Sequence, residues 1–369
     1  MPAPPPIPLR LLVICPSWVG DAVMATPTLR LLRDRLPGCF IGGLVRPGID
    51  QILGGSNLLD ELHIHHAAGV MGPKFAAAKV RPRRYDTALL LTNSLSTALI
   101  ARIAGIPRRI GYNRDARALL LTQRLEVPRK ANGDRYPIPA VTYYWNAAVS
   151  MLQALPDAKF GAGLKLVEPN AIPDTRMELG VTPQDRAEAD AVLVKANISP
   201  EQTYAILNPG GNNPAKRWPE ERFAALADHL YTTRGIPSLI NGSPGEAELI
   251  NRIKAAAKRP VRSLPDLGNT LGSLKGLMVR CKLMVTNDTG PRHIAAAFGV
   301  PVVSLFGPTD PRWTTIPVPG GERIIVADPT LPESEISDDH AERCRMERIT
   351  LESVIAAADE LLSLGKVPP

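Results

Sequence analysis

Two loops in the C-terminal half combine residue types that bind phosphate. The first, Asn208-Pro-Gly-Gly-Asn-Asn-Pro-Ala-Lys-Arg-Trp-Pro219, follows an apolar run and carries Lys216. The second, Asn287-Asp-Thr-Gly-Pro-Arg-His293, also follows an apolar run and opens a predicted helix with Pro291 at its first position. A lysine on a glycine-rich loop and the positive end of a helix can together neutralise a pyrophosphate. The pair of loops therefore predicts a diphosphate site.

Within the second loop, Gly290 allows a phosphate to approach the backbone closely, and Thr289 can cap the helix and offer a hydroxyl. A capped helix start without a ligand explains that loop equally well. In the first loop, Lys216 and Arg217 can be solvent-exposed and Trp218 a core residue. The residues predicted to bind this ligand in the two loops are Asn208, Gly210, Gly211, Lys216, Thr289 and Gly290.

A third loop, Gly242-Ser-Pro-Gly-Glu246, follows another apolar run. A carboxylate at Glu246 can accept hydrogen bonds from a ribose or a base. It can also be an ordinary acidic residue at a helix N-terminus. The sequence does not separate these two interpretations, and both Gly242 and Glu246 stay candidates for ligand binding.

In the N-terminal half, Pro16-Ser-Trp-Val-Gly-Asp21 ends the first predicted strand. Asp21 opens the following helix, so N-capping is its ordinary explanation. The functional alternative is a general base, since a helix N-terminus favours the ionised carboxylate.

The elements that position these loops form two βα series, which predict an α/β protein with two doubly wound, Rossmann-like domains and ligands at the carboxyl ends of the strands. One predicted helix covers about 21 to 36 and another Leu351–Leu364. The domain boundaries drawn from the series are a Pro-rich extension at 1–8, an N-terminal domain at 9–165, a linker at 166–183, a C-terminal domain at 184–348, and a final segment at 349–369 that we expect to pack across the junction.

Charge is concentrated between Lys74 and Arg135, where 14 basic residues face 4 acidic ones. This is either a solvated face or a surface for an anionic partner, such as a phosphorylated lipid. No interleaved aromatics or recognition-helix pattern accompanies it, so nucleic acid is not expected. Contact with an anionic membrane surface fits better.

Several signatures are missing from the sequence. There is no G-x-G-x-x-G after the first strand, no Walker A motif and no D-x-D after a strand. The cluster His63, His65 and His66 lacks partner spacing for a metal, and the four cysteines form no C-x-x-C pair. We therefore expect no metal and no cofactor. The chain start resembles no signal peptide. The widely separated cysteines suit a reducing cytoplasm, so we expect a cytoplasmic protein.

The chain resembles the ADP-heptose:lipopolysaccharide heptosyltransferases of glycosyltransferase family 9, most of all the type II members. The resemblance covers nearly the whole length. The segments that carry it are Pro16–Asp21, Asn93-Ser94, Ala104–Gly111, Pro214–Pro219, Thr286–Gly290 with His293–Ala297, and Gly307–Asp310.

The resemblance implies a GT-B fold, two domains facing each other across a cleft, and an inverting, metal-independent transfer of heptose from ADP-heptose. Asp21 matches the family's catalytic base and Lys216 its diphosphate-binding lysine. Asp288, Thr289 and Gly290 match the segment that holds the donor, with His293 beside it. The implied acceptor is the first inner-core heptose on a lipid A precursor. One alternative is a relative that transfers heptose or another sugar to a protein or a different glycan. Another is a catalytically silent protein that binds a nucleotide sugar. Expected acceptor-binding residues are Ser17, Trp18, Arg83, Arg84, Asn93, Ser94 and Arg109.

The implied location is the cytoplasm, with peripheral contact at the inner membrane's cytoplasmic face as a further expectation. Three features depart from the family pattern: Arg292, the pair Gly211-Asn212, and the acidic segment 328–345.

Overall fold

The structure is a computed structural model that describes residues 9–66, 69–129, 133 and 136–364. The predicted extension at 1–8 and the end of the final segment lie outside these residues. The chain divides into two compact units between Thr175 and Arg176, a point within the predicted linker 166–183.

Unit 1 is built on a six-stranded parallel sheet with the order β3-β2-β1-β4-β5-β6. Its strands are β1 Arg10–Ile14, β2 Phe40–Val45, β3 Glu61–Ile64, β4 Thr87–Leu90, β5 Arg108–Tyr112 and β6 Gln123–Leu125. Its helices are α1 Val19–Met24, α2 Thr26–Arg35, α3 Ile49–Leu53, α4 Gly72–Val80, α5 Leu95–Ile103 and α6 Ala140–Gln153. The central strands β1, β2 and β4 are nearly all apolar because helices cover them, as parallel sheets require.

Unit 2 repeats this topology, with the order β12-β11-β10-β7-β8-β9 in a second parallel sheet. Its strands are β7 Tyr204–Asn208, β8 Ser238–Ile240, β9 Val261–Ser263, β10 Cys281–Asn287, β11 Val302–Phe306 and β12 Glu322–Val326. Its helices are α7 Pro183–Lys195, α8 Glu220–Arg234, α9 Ala247–Ala256, α10 Leu271–Arg280, α11 Gly290–Ala297 and α12 Leu351–Leu364. Counted along each unit, both sheets have the order 3-2-1-4-5-6 of a Rossmann fold. The predicted α/β class with two such units is confirmed.

The predicted helix from 21 to 36 is wrong as a single element, because it is two helices that meet at Ala25. Pro27 has no backbone N–H, so the carbonyl of Val23 loses its ordinary helical partner. The hydroxyl of Thr26 donates to that carbonyl over 2.7 Å instead. The series of helical hydrogen bonds is therefore interrupted just after the turn that carries Asp21, although Ala25 itself keeps helical dihedral angles.

The final helix α12 lies within unit 2. Its buried residues Val354, Ala358 and Leu361 join the same core as Trp218 and Phe223. It packs against α8 and strands β10, β11 and β12.

Among the residues that the structure describes, no helix is both long and apolar enough to span a membrane.

Candidate functional site

Strand order reverses between β7 and β10 in unit 2, and the two phosphate-type loops leave the sheet at this point. Such a reversal opens a crevice at the carboxyl ends of the strands, where ligands of open α/β sheets bind. The structure thus brings together Asn208, the loop to Lys216, and the turn at Asp288. The two loops are about eighty residues apart in the sequence. The pairing of Thr286 with Asn208 in neighbouring strands brings them together.

Lys216 and Asp288 form an ion pair in this crevice, with Nζ 3.3 Å from Oδ2. The Lys216 side chain is 28% exposed and that of Asp288 is 9% exposed. A short 3-10 turn, Pro214–Lys216, aims the lysine, and the Asn213 side chain caps that turn by accepting from the Ala215 N–H. A cation is therefore held at the crevice with part of its surface open to a ligand.

Thr289 occupies the N-cap position of α11, but its side chain makes no capping hydrogen bond. Its hydroxyl accepts from Asn208 Nδ2 over 2.8 Å and lies 3.1 Å from Thr286 Oγ1. The prediction that the Thr289 side chain caps the helix is wrong, because its hydroxyl instead contacts the side chains of Asn208 on β7 and Thr286 on β10. The first N–H groups of α11 keep the positive helix end without a side-chain cap, which suits an anion.

A chain of buried amides ties the ends of three adjacent strands together. Asn241, after β8, donates to Asn208 Oδ1 over 2.6 Å, and Asn208 in turn donates to Thr289. Asn287, at the end of β10, donates to the carbonyls of Pro209 and Gly210. These bonds fix the orientation of each amide and make the crevice rigid.

Glu246 connects two of the candidate loops. Its Oε1 accepts from the Gly211 N–H over 2.8 Å, and its Oε2 accepts from the N–H and hydroxyl of Ser243. Glu246 is thus half of a capping box at a helix start, as the ordinary interpretation held. Three of about four acceptor positions on the carboxylate are used, so one remains for a ligand hydroxyl.

Gly210 must be glycine for Glu246 to lie where it does, because a Cβ there would be 2.3 Å from Glu246 Oε1. We expect Gly210→Ala to displace the carboxylate and lower the free energy of unfolding by about 1–3 kcal/mol, the usual range for overpacking. Gly245→Ala is the matched control, since its Cβ would meet nothing closer than Ser243 Oγ at 4.0 Å. Thermal unfolding of both variants checks this, and equal melting temperatures would contradict it.

The neighbours of Lys216 have structural roles. Arg217 donates through Nε and Nη2 to the Gly211 carbonyl, and so holds the two ends of the loop from 211 to 217 together. Trp218 is fully buried, packs edge-on against Phe223, and donates from Nε1 to the Ile349 carbonyl. Trp218 is therefore a core residue.

His293 is buried in α11, and neither ring nitrogen has a hydrogen-bond partner in the part of the chain that the structure describes. Burial, with the charge of Arg292 beside it, lowers the pKa of His293 to about 3. The imidazole is therefore neutral at physiological pH. Buried polar atoms without partners are rare in folded proteins and are commonly explained by a missing ligand or water.

Arg292, one of the departures from the family pattern, points into the core of unit 2. Its guanidinium donates to both carboxylate oxygens of Glu322 on β12, at 2.8 and 3.1 Å, and to Ser304 Oγ on β11. Because the charge is paired, its complete burial is tolerated.

The segment Gly307–Asp310 also serves the fold. A Cβ at Gly307 would lie 2.5 Å from Met346 Sδ. Asp310 pairs with Arg312 over 2.7 Å and accepts from the Ser337 N–H. The acidic segment 328–345 is therefore anchored to the end of β11 through Asp310.

In unit 1, the strand order reverses between β1 and β4, and the loop after β1 leads into α1 with Asp21 in its first turn. Trp18 is the N-cap residue, so Asp21 does not cap this helix. Tyr144 on α6 donates from its hydroxyl to Asp21 Oδ1 over 2.8 Å. Burial, and then the nearby Asp21 charge, raise the pKa of Tyr144 well above its usual range, so the phenol keeps its proton.

Four of the expected acceptor residues lie at this same edge of the sheet. Ser17 and Trp18 are exposed on the loop after β1. Asn93 follows β4 and its Oδ1 accepts from the buried Arg117 and from the Tyr143 hydroxyl. Ser94 caps α5 by accepting from the Thr97 N–H.

The other three expected acceptor residues are not brought to this edge. Arg83 and Arg84 precede β4 and Arg109 is near the start of β5, so they lie at the amino edge of the sheet. Arg83 pairs with Glu61 over 2.6 Å. Arg109 donates to the carbonyls of Ile106, Pro107 and Leu120. These arginines therefore lie at the opposite edge of the sheet from the loop that carries Asp21.

Within the described ranges, no group of three or more His, Cys, Asp or Glu side chains could hold a metal ion. His63 is instead 2.7 Å from the Tyr85 hydroxyl, and burial lowers the pKa of His63.

Comparisons with known proteins give matches over most of the chain. The family model for glycosyltransferase family 9 (heptosyltransferase) matches residues 76–342. Lipooligosaccharide heptosyltransferase 2 of Haemophilus influenzae is 30% identical over 314 residues, 83% of this chain and 85% of that protein. The solved structure of Escherichia coli ADP-heptose lps heptosyltransferase II is 26% identical with a TM-score of 0.76, covering 96% of this chain and 99% of that one. A family 9 glycosyl transferase from Veillonella parvula has a TM-score of 0.77 at 22% identity, covering 97% and 98%.

Proposed function

Since the chain belongs to glycosyltransferase family 9, the heptosyltransferase family, we propose that it transfers heptose from ADP-heptose to the inner-core heptose of a lipid A–core acceptor. The observation that carries this proposal is the crevice of unit 2, where the Lys216 ammonium lies 3.3 Å from Asp288 at the start of α11. A cation beside an uncapped helix start suits a nucleoside diphosphate. The solved relative with a matching fold is described by its donor, ADP-heptose.

In the proposed donor complex, the diphosphate lies against Lys216 and the first N–H groups of α11, with Asn208, Gly210 and Gly211 lining one side. Glu246 accepts from a nucleoside hydroxyl through its remaining acceptor position. His293 supplies a ring nitrogen to a polar group of the donor, which accounts for its buried, unpaired state.

In the proposed reaction, the acceptor hydroxyl attacks the anomeric carbon of the donor while Asp21 takes the hydroxyl proton. The bond from that carbon to the diphosphate oxygen breaks in the same step, which inverts the configuration. Lys216 and the α11 N-terminus offset the charge on the leaving ADP, the part a bound divalent metal plays in other transferases. This is the basis of the proposed metal independence.

The experiment is an ADP-release assay with ADP-heptose and three acceptors: a lipid A–core fragment ending in one heptose, the same fragment without heptose, and an unrelated protein. We expect ADP release only with the first acceptor, and the same rate after a chelator is added. Release with the protein alone would favour protein glycosylation. An absence of release with every acceptor, despite ADP binding, would indicate a silent nucleotide-sugar-binding protein.

Tyr144 is a positioning residue in this scheme, because its hydroxyl holds one oxygen of the proposed base. We expect Tyr144→Phe to lower kcat about tenfold, the cost of one hydrogen bond to a charged group, with an unchanged KM for the donor. The acidic limb of the kcat–pH profile should move to higher pH, since the ionised carboxylate loses a donor.

Tyr204→Phe is the matched control for this prediction. It also removes a buried hydroxyl, one that donates to the Leu277 carbonyl in unit 2. Should both variants lower kcat equally, the effect of Tyr144 would be one of stability alone.

A further inference from the structure

Helices α4 and α5 pack against each other over one face of the unit 1 sheet, and their N-terminal ends expose large apolar side chains. Val70 is 96% exposed, Phe75 66%, and Met71 and Leu95 49% each. Met71 and Phe75 are four residues apart at the start of α4, so they share one side of that helix. The opposite side of α4 is buried at Ala76, Ala77 and Val80. The helix is therefore packed on its own core, and its exposed side faces away from that core.

The stretch of chain that builds this surface is strongly basic. From 67 to 114 the sequence has nine basic residues and a single acidic one, Asp86, which precedes β4 and lies on neither helix. The exposed cations on or next to the two helices include Lys74, Lys79, Arg81, Arg83, Arg84 and Arg102. Arg83 pairs with Glu61 of β3. Lys74, Lys79, Arg81 and Arg102 form no ion pair with a carboxylate in the described part of the chain; Lys79 and Arg81 donate only to backbone carbonyls. We call this surface, with its apolar end, the α4–α5 face.

We propose that the α4–α5 face docks on an anionic lipid bilayer. Met71, Phe75 and Leu95 enter the headgroup layer, and the cations contact lipid phosphates. The combination of large apolar side chains at one end and unpaired cations along the rest is the pattern of a surface that lies in a membrane interface. This inference rests on the proposed function and adds a partner to it, because a glycolipid acceptor is presented at such a surface.

The alternatives among macromolecules fit less well. A single-stranded nucleic acid binds where several aromatic rings offer stacking platforms beside the cations, whereas Phe75 is the lone exposed aromatic residue of α4 and α5. A protein partner with a hydrophobic interface would leave four cations to be matched by acids. A bilayer of anionic lipids matches the charges and the apolar residues together.

The test is co-sedimentation of the full chain with phosphatidylethanolamine vesicles that contain phosphatidylglycerol, compared with pure phosphatidylcholine vesicles, in the absence of donor and acceptor. We expect binding to the anionic vesicles only, weakened by added salt. Phe75→Ser should lower partitioning about tenfold, since a phenyl ring leaves the apolar layer. Lys74→Gln and Arg102→Gln should each lower it about fivefold.

Val194→Ser is the matched control, because Val194 is 73% exposed on α7 of unit 2. It should sediment as the unchanged protein does. Equal sedimentation with both kinds of vesicle, equal losses in Phe75→Ser and Val194→Ser, or binding to RNA but not to vesicles would each overturn the proposal. No sugar is transferred in this assay, so an absence of vesicle binding would leave the proposed reaction standing. Vesicle binding by a protein without transferase activity would count against the proposed reaction alone.

Discussion

Replacement of Asp21 by alanine is expected to lower kcat about a thousandfold, within the range found for the loss of a general base. The affinity for ADP should be unchanged, because the proposed diphosphate site lies in unit 2, whereas Asp21 belongs to α1 of unit 1. Steady-state kinetics with the heptose-terminated acceptor, together with calorimetric titration of ADP, measure the two quantities separately.

Asp34→Ala is the control for this variant. Asp34 is 62% exposed on the adjoining helix α2 and pairs at the surface with Arg30 at 3.7 Å, so kcat should stay at the unchanged protein's value. Retention of a tenth or more of kcat by Asp21→Ala would show that some other group accepts the proton. Asp21→Asn should be as slow as the alanine variant, because it can still accept from Tyr144 but is far less basic.

Lys216→Ala should damage both binding and catalysis, since a diphosphate carries charge in the bound donor and more charge as it leaves. We expect the Kd for ADP to rise about 10- to 100-fold, the value of a hydrogen bond to a charged group. We also expect kcat to fall about a hundredfold, in line with the loss of one electrostatic contact to a leaving group. Lys216→Arg should recover part of the ADP affinity but less of kcat, because the guanidinium has a different shape.

The matched control is Lys254→Ala, which removes another Lys–Asp pair of unit 2, at 2.9 Å from Asp266 on the surface. If the Lys216 and Lys254 variants bind ADP equally well, Lys216 does not contact the diphosphate.

The strands that carry the site could be predicted because a buried parallel strand is a short apolar run. The apolar run Phe40–Val45 is a strand over its whole length, and the run before the loop at Asn208 is the strand Tyr204–Asn208. The edge strands β6 and β9 give no such signal. Each has three residues, and the sequence of β6, Gln-Arg-Leu, has no apolar run.

The partners of the site residues could not be predicted, since they come from distant parts of the chain. Tyr144 lies 123 residues from Asp21, and Glu246 lies 35 residues from Gly211. Tyr144 is one of two adjacent tyrosines in an amphipathic helix, and nothing in that pattern says which ring turns toward Asp21. The expectation that Arg109 binds an acceptor came from its charge, yet its guanidinium is used by three backbone carbonyls.

Each unit completes its own six-stranded sheet, with all six strands drawn from one continuous stretch of chain. A single crossover point between Thr175 and Arg176 would therefore exchange one half for that of a homologue without cutting a sheet. If the proposed function holds, chimeras joined there are expected to inherit nucleotide preference from one parent and glycan preference from the other. Gene recombination, as well as point substitution, can in this way diversify the sugars that such enzymes attach.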